Sequence, residues 1–340
     1  MSQKIGIIGA GGMLQYHAPG FKAGGAEIVA ICDMNQEAAK KAAATYGAGH
    51  VFADSQKMLD ELSDLDAISI ITPNRTHKPL AIQALKAGKH VFCEKPPGRT
   101  VEDVARVQQT ANEHPKLKLK YGFNHRYHAS FKEALRLIDA KLLGDVINLR
   151  GVYGKSKIIN FDSEWRTQRA QAGGGILLDQ GIHMLDMMRT ISGSFSEVYS
   201  VVSNDYWRHD VEDNAYALMK TADGVVASIH SSATQWRHTF RLEIGLTEGL
   251  IVLSGILSGS QSYGDEEIIV YEKKSDDVLE KRTFEFTEDN SWRDEIADFY
   301  DALAFGKPIE IGNVEEAYET MKLVYQIYCA DTTWSKRFGL

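Results

Sequence analysis

The sequence predicts an α/β fold over its first third and an α+β fold over the remainder. Three observations carry this. Apolar strand-like runs alternate with helical stretches from Lys4 to Gly122. The first run ends in the glycine-rich turn Gly9-Ala10-Gly11-Gly12. Later in the chain, one β-rich run follows another with only turns between them. Alternating elements specify a parallel sheet covered on both faces, and successive strands specify an antiparallel one.

Composition narrows the class. A chain of 340 residues suggests two domains. With 44% hydrophobic and 25% charged residues it can bury a sizeable core without disulfides or metals. A net charge of −8 argues against a nucleic-acid surface. Cys32, Cys93 and Cys329 show no metal or redox spacing, which points to a reducing compartment. No charged-then-apolar leader precedes Ile5-Gly6-Ile7-Ile8, and no apolar run is long enough for a bilayer, so the expectation is a cytoplasmic protein without membrane contact.

In order, Lys4–Ile8 is a strand that feeds a helix from Met13 to about Lys22 through the glycine turn. Such a turn leaves backbone N–H groups at a helix N-terminus, a site for pyrophosphate. Gly9 and Gly11 match the first two glycines of G-x-G-x-x-G, whereas Leu14 stands at the last. The strand Glu27–Cys32 ends at Asp33, roughly twenty residues on, where a dinucleotide fold places the acid for the ribose hydroxyls. A carboxylate there repels a 2′-phosphate, which favours NAD over NADP. The helix Gln36–Tyr46, a helix around Met58-Leu59, the strand Leu65–Ile71, the helix Lys78–Ala87, the strand His90–Cys93, the helix Val101–Glu113 and the strand Leu117–Gly122 follow. Gly9, Asp33, Thr72, Glu94-Lys95 and Phe123-Asn124 all fall at strand carboxyl ends, the rim where such sheets bind ligands.

The stretch Gly173–Met188 is the candidate for chemistry. It reads as a glycine loop entering a helix on which Asp179 and His183, four apart, share a face. A carboxylate and an imidazole so placed form an acid/base pair or an ordinary buried pair.

These motifs are recognisable together. The chain resembles the glucose–fructose oxidoreductase / inositol dehydrogenase (Gfo/Idh/MocA) family of NAD(P)-dependent sugar and cyclitol oxidoreductases. The matching pieces are Gly9-Ala10-Gly11-Gly12-Met13, Thr72-Pro73-Asn74, His77, Glu94-Lys95-Pro96, Gly122-Phe123-Asn124, and Gly174-Gly175 followed by Asp179, Gly181 and His183. The resemblance implies a Rossmann NAD-binding domain over residues 1–122 and an α+β substrate and oligomerisation domain over 123–340, built on an open, mostly antiparallel sheet. Eight strand-like runs agree: Val146–Tyr153, Val198–Ser203, Asn214–Lys220, Gly224–Ser231, Thr239–Gly245, Leu250–Leu253, Ile268–Tyr271 and Arg282–Phe286. The C-terminal helices, Ser291–Phe305 and Val314–Ala330, are expected to pack back on one of the two domains. In the family such a sheet often joins protomers, which implies a homodimer or homotetramer.

The reaction implied is interconversion of a secondary alcohol and a ketone on a sugar, a sugar derivative or a cyclitol. Loss of the hydroxyl proton needs a base with a pKa near working pH, and His183 is the candidate. Asp179 would orient its ring and bond a neighbouring hydroxyl, and Lys95 would stabilise developing alkoxide charge. Which of the matching residues is the base varies in the family, so Lys95 stays open as the proton acceptor. Cofactor contacts are expected from Gly9, Gly11, Gly12, Met13, Asp33, Thr72, Pro73, Asn74, His77, Glu94, Lys95 and Asn124, with Glu94 on the nicotinamide ribose. Substrate contacts are expected from Lys95, Arg126, Trp165, Arg166, Asp179 and His183. The basic segment with Lys155, Lys157, Arg166 and Arg169 suits a phosphate or nucleotide on the sugar. Trp207, Arg208, Trp236, Arg237 and His238 add candidates for stacking. A metal pair at His125 and His128 lacks a third ligand, and no metal is expected. Two competing readings are a hydrolase that recycles NAD during glycosidic cleavage and a non-catalytic NAD sensor.

Overall fold

A computed structural model describes residues 2–158, 165–257, 262–275 and 278–340. The elements run β1 (Lys4–Ile8), α1 (Leu14–Ala23), β2 (Glu27–Cys32), α2 (Gln36–Tyr46), β3 (His50–Phe52), α3 (Ser55–Glu61), β4 (Ala67–Ile70), α4 (His77–Lys86), β5 (His90–Glu94), α5 (Val101–Glu113), β6 (Leu119–Gly122), α6 (Ala129–Asp139), β7 (Val146–Ser156), α7 (Arg169–Ala172), α8 (Ile182–Ser192), β8 (Phe195–Ser203), β9 (Asn214–Thr221), β10 (Val226–Gln235), β11 (Thr239–Leu246), β12 (Gly249–Ser254), β13 (Glu266–Ser275), β14 (Val278–Phe286), α9 (Ser291–Phe305), α10 (Val314–Ala330) and α11 (Thr332–Phe338). They form two units, residues 1–124 with 291–321, and residues 125–290 with 322–340.

The first unit holds a parallel sheet in the order β3-β2-β1-β4-β5-β6. Its chain order reverses between β1 and β4, the switch point where a doubly wound sheet opens its crevice. Every residue of β4 and β6 is buried, as expected of strands covered on both faces. Only β3 was not anticipated, because three residues are too few to show a period. Asn35 caps α2 by accepting from the Ala38 N–H, and Gly47, at φ 78°, ends it. Helix α9 packs on α1, where a Cβ on Gly20 would lie 2.6 Å from Ile296. Phe21, Phe92 and Phe299 then meet edge to face with centroids 5.5–6.3 Å apart. This places Ser291–Phe305 with the nucleotide-type sheet.

The second unit holds an eight-stranded sheet in the order β14-β13-β12-β11-β7-β10-β9-β8. Each pair is antiparallel except β7 with β10. Strands β7, β8, β10, β13 and β14 extend past the apolar runs that mark them, because ladder hydrogen bonds continue where side chains no longer alternate. Alternation in β9 buries Ala215, Ala217, Met219 and Thr221 and exposes Tyr216, Leu218 and Lys220. Helix α8 covers the buried face at Gly151, where Met184 and Met188 occupy the space a Cβ would need.

Candidate active site

The glycine turn of the first unit shows why its residues are small. Gly9 has φ +112°, and a Cβ there would lie 2.7 Å from the Ile71 carbonyl oxygen. Around Gly11 and Gly12 an added Cβ would meet nothing within 4 Å, so the space above the turn is open to a ligand. No side chain caps α1 at Met13. Leu14, in place of the third glycine, is 4% exposed and packs into the core under the turn. Asp33 accepts from the Ala10 N–H through Oδ2 and from the Asn35 N–H through Oδ1, each at 2.7 Å. An open glycine turn with a carboxylate fixed at its edge fits a dinucleotide. Gly11, Gly12 and Met13 would face its pyrophosphate and Asp33 its adenosine ribose.

The strand ends beside the turn are braced from within. His77 is 1% exposed, with Nδ1 2.7 Å from the Pro96 carbonyl oxygen and Nε2 2.7 Å from that of Thr72. It ties the Thr72-Pro73-Asn74 turn to the Lys95-Pro96 turn, whose peptide bond is cis. Burial pushes its imidazole below the usual range, against the pull of both carbonyls. Glu94 is 4% exposed; its Oε1 lies 2.8 Å from His17 Nε2, and its Oε2 accepts from the Lys95 N–H at 3.2 Å. His17 Nδ1 lies 3.0 Å from Ser69 Oγ. Asn124 donates from Nδ2 to Ser291 Oγ at 3.1 Å.

In the second unit the stretch Gly173–Ser192 is a short π-helical segment, Leu177–Gly181, running into α8. Its glycines admit close neighbours. A Cβ on Gly174 would lie 2.3 Å from Tyr328 Oη, one on Gly175 2.0 Å from the Glu212 carbonyl oxygen, and one on Gly181 2.7 Å from Ser231 Oγ. The fully buried Glu212 carboxylate accepts from the Gly175 N–H at 2.8 Å, the Leu177 N–H at 3.0 Å and Tyr328 Oη at 2.7 Å. Burial still raises its pKa above the usual carboxylate value. Two residues later, Asp179 lies 3.7 Å from Lys155 Nζ and 3.8 Å from Arg166 Nε, and the Arg166 guanidinium lies 4.4 Å over the Trp165 ring. His183 is buried and stacks on His125, centroids 3.7 Å apart and planes 14° from parallel. Arg126 is 6% exposed and bidentate to the buried Asp186 at 2.6 and 2.7 Å.

Comparison with known proteins places this geometry. Residues 3–123 match the model of the GFO_IDH_MocA oxidoreductase family, NAD-binding Rossmann fold, and residues 131–252 match the GFO/IDH/MocA C-terminal domain. The chain belongs to this family. It is an oxidoreductase that uses NAD. Levoglucosan dehydrogenase of Pseudarthrobacter phenanthrenivorans is 30% identical over 251 residues, 66% of this chain and 64% of the relative, just under two thirds of its length. D-Glucoside 3-dehydrogenase of Escherichia coli K12 is 27% identical over 98% of this chain and 96% of the relative. A solved levoglucosan dehydrogenase in complex with NADH and levoglucosan superposes with a TM-score of 0.87 at 25% identity, covering 98% of each chain.

Within this Gfo/Idh/MocA chain several of the expected site residues are bonded inside their own unit. Arg126, expected as a substrate ligand, gives the Nε and Nη2 edge of its guanidinium to Asp186 inside the unit. His77, expected as a cofactor contact, has a ring nitrogen 2.7 Å from each of two backbone carbonyl oxygens and braces the two turns. Glu94 shares a buried bond with His17, a partner 77 residues away that no local pattern signalled. Asp179 and His183 do not lie on an ordinary α-turn, and Asp179 is held by two cations. Arg169 lies over the Phe338 ring at 4.3 Å, Lys157 over Trp236 at 3.6 Å, and His128 lies 2.8 Å from Glu266. Trp207 donates to the Ala233 carbonyl and packs with Ile176 and Val211. Residues 159–164 of the basic segment lie outside the described residues.

Proposed function

We propose that this chain interconverts a secondary alcohol and a ketone on a carbohydrate, with His183 as proton acceptor. The observation that carries the reading is the buried His183 imidazole following the anchored Asp179 on one continuous helical segment. The cofactor, when bound, supplies the hydride acceptor. The chain's own groups do the rest. His183 takes the hydroxyl proton as the C–O bond becomes a carbonyl. Lys95 is the second catalytic group proposed, a donor that stabilises developing alkoxide charge. Asp179, 3.7 Å from Lys155 and 3.8 Å from Arg166, accepts from a neighbouring hydroxyl and fixes which carbon reacts.

Relatives named for levoglucosan and D-glucoside support a sugar. Lys155 and Arg166 share the single Asp179 carboxylate, while Lys157 and Arg169 lie over the uncharged Trp236 and Phe338 rings, so this segment keeps a net positive charge that suits a phosphate on the sugar. Two copies would pair through the open sheet face. Tyr199, Val201, Tyr216 and Leu218 stand exposed there around a depression of about 540 Å³ lined also by Arg150 and His230. Among the described residues no helix is long and apolar enough to cross a membrane; the cysteines, all unbridged, favour the cytoplasm as compartment.

NADH formation across free sugars, cyclitols, sugar acids, sugar phosphates and nucleotide sugars, with NADP in parallel, tests the reading. Turnover of a sugar or sugar phosphate with NAD, reduced ~10²-fold or more in His183→Ala, is expected. Undiminished turnover in His183→Ala would overturn the assignment of the base. A preference for NADP would overturn that of Asp33.

A further inference from the structure

We propose that His125 is a positioning residue for His183, fixing the plane of its ring by face-to-face contact while Tyr153 holds His125 in place. The proposal rests on His183 being the proton acceptor.

His125 lies in the short turn Asn124–Tyr127 after β6 and is 5% exposed. One face of its ring meets His183, with centroids 3.7 Å apart and planes 14° from parallel. Its Nε2 lies 2.9 Å from Tyr153 Oη on β7. The His128 and Phe240 rings stand edge-on to it at 5.4 and 6.1 Å. Tyr153 is 3% exposed, and burial holds its phenol well above the ordinary range, so it keeps its proton and remains a hydrogen-bonding hydroxyl at working pH.

The histidine ring turns about a broad, two-fold torsion that its own rotamer preference scarcely restricts. A hydrogen bond at a ring nitrogen fixes a direction in the plane but leaves the plane free to tilt. A flat neighbour at van der Waals distance removes that tilt. The lone pair of His183 is then aimed before substrate arrives, where an angular tolerance of about 10–20° decides rate. His125 touches no reacting atom in this account; it acts through His183.

The test uses the full-length protein labelled at histidine, with NAD added. The ring of His125 shields the ring protons of His183. In His125→Ala these signals, assigned with His183→Gln, are expected to move downfield. In His125→Phe, which keeps a flat ring, they are expected to stay near their original positions. With the panel sugar turned over fastest, kcat is expected to fall on the order of tenfold in His125→Ala, with KM for NAD unchanged, and to recover in His125→Phe. Unchanged His183 signals in His125→Ala, or wild-type kcat there while His183→Ala is impaired, would overturn this proposal alone. Wild-type turnover in His183→Ala removes the base assignment and this role with it. Equal impairment in the Ala and Phe variants would show that the imidazole matters and the face does not, which also overturns it.

Discussion

Glu212 holds the backbone of Gly175 from 37 residues away, its carboxylate 2.8 Å from the Gly175 N–H and its own carbonyl oxygen in the space a Gly175 side chain would fill. This double contact sets the entry of the segment that carries Asp179 and His183.

Replacing Glu212 by Ala leaves the Gly175 and Leu177 N–H groups and the Tyr328 hydroxyl buried without their acceptor. Each orphaned group costs about 1–3 kcal/mol, so a loss of roughly 3 kcal/mol or more is expected by chemical denaturation. The carboxyl's folded pKa is raised above its usual 4.5, so the native state binds the extra proton. Its contribution is fully present below 4.5 and is lost as pH rises through the folded value. Glu212→Gln should flatten stability against pH in that window. An unaltered slope would show that Glu212 is ionised throughout.

Gly9 and Gly11 separate folding from binding. Gly9→Ala forces a Cβ against the Ile71 carbonyl at positive φ and should cost on the order of 1–3 kcal/mol. Gly11→Val meets open space within the protein, so the melting temperature should hold while NAD affinity falls at least tenfold. Calorimetric titration with NAD alongside thermal melts checks both. Normal NAD binding in Gly11→Val would mean that pyrophosphate does not lie over the turn.

Arg126 and Asp186 are each almost fully buried and bound through two bonds. Removing one partner strands a charge, and either single Ala variant is expected to lose about 3–5 kcal/mol. The double variant should lose less than the sum of the two, a coupling that denaturant midpoints can measure. If Arg126→Ala folded as the parent does and only KM for the sugar rose, the ion pair would be secondary and Arg126 a substrate ligand after all.

Much of this chain was determined locally. Continuous apolar runs and their period specified β1, β2, β4, β5 and β6. Alternation specified the strands of the second sheet, and glycine chemistry at Gly9 with Asp33 a short step later specified the nucleotide turn. Such signals are legible because each depends on a handful of adjacent residues. Tertiary structure alone decided the rest. The parallel pairing of β7 with β10, the docking of α9 on α1 at Gly20, and the π-winding at Leu177–Gly181 depend on residues far apart in sequence. The same holds for the polar groups. His77, Glu94 and Arg126 were legible as charged or titratable residues near strand ends, yet their work was set by the carbonyls of Thr72 and Pro96, by His17 and by Asp186. A buried polar atom must find a partner wherever the fold provides one, and that choice is made by three-dimensional proximity, which no local pattern encodes.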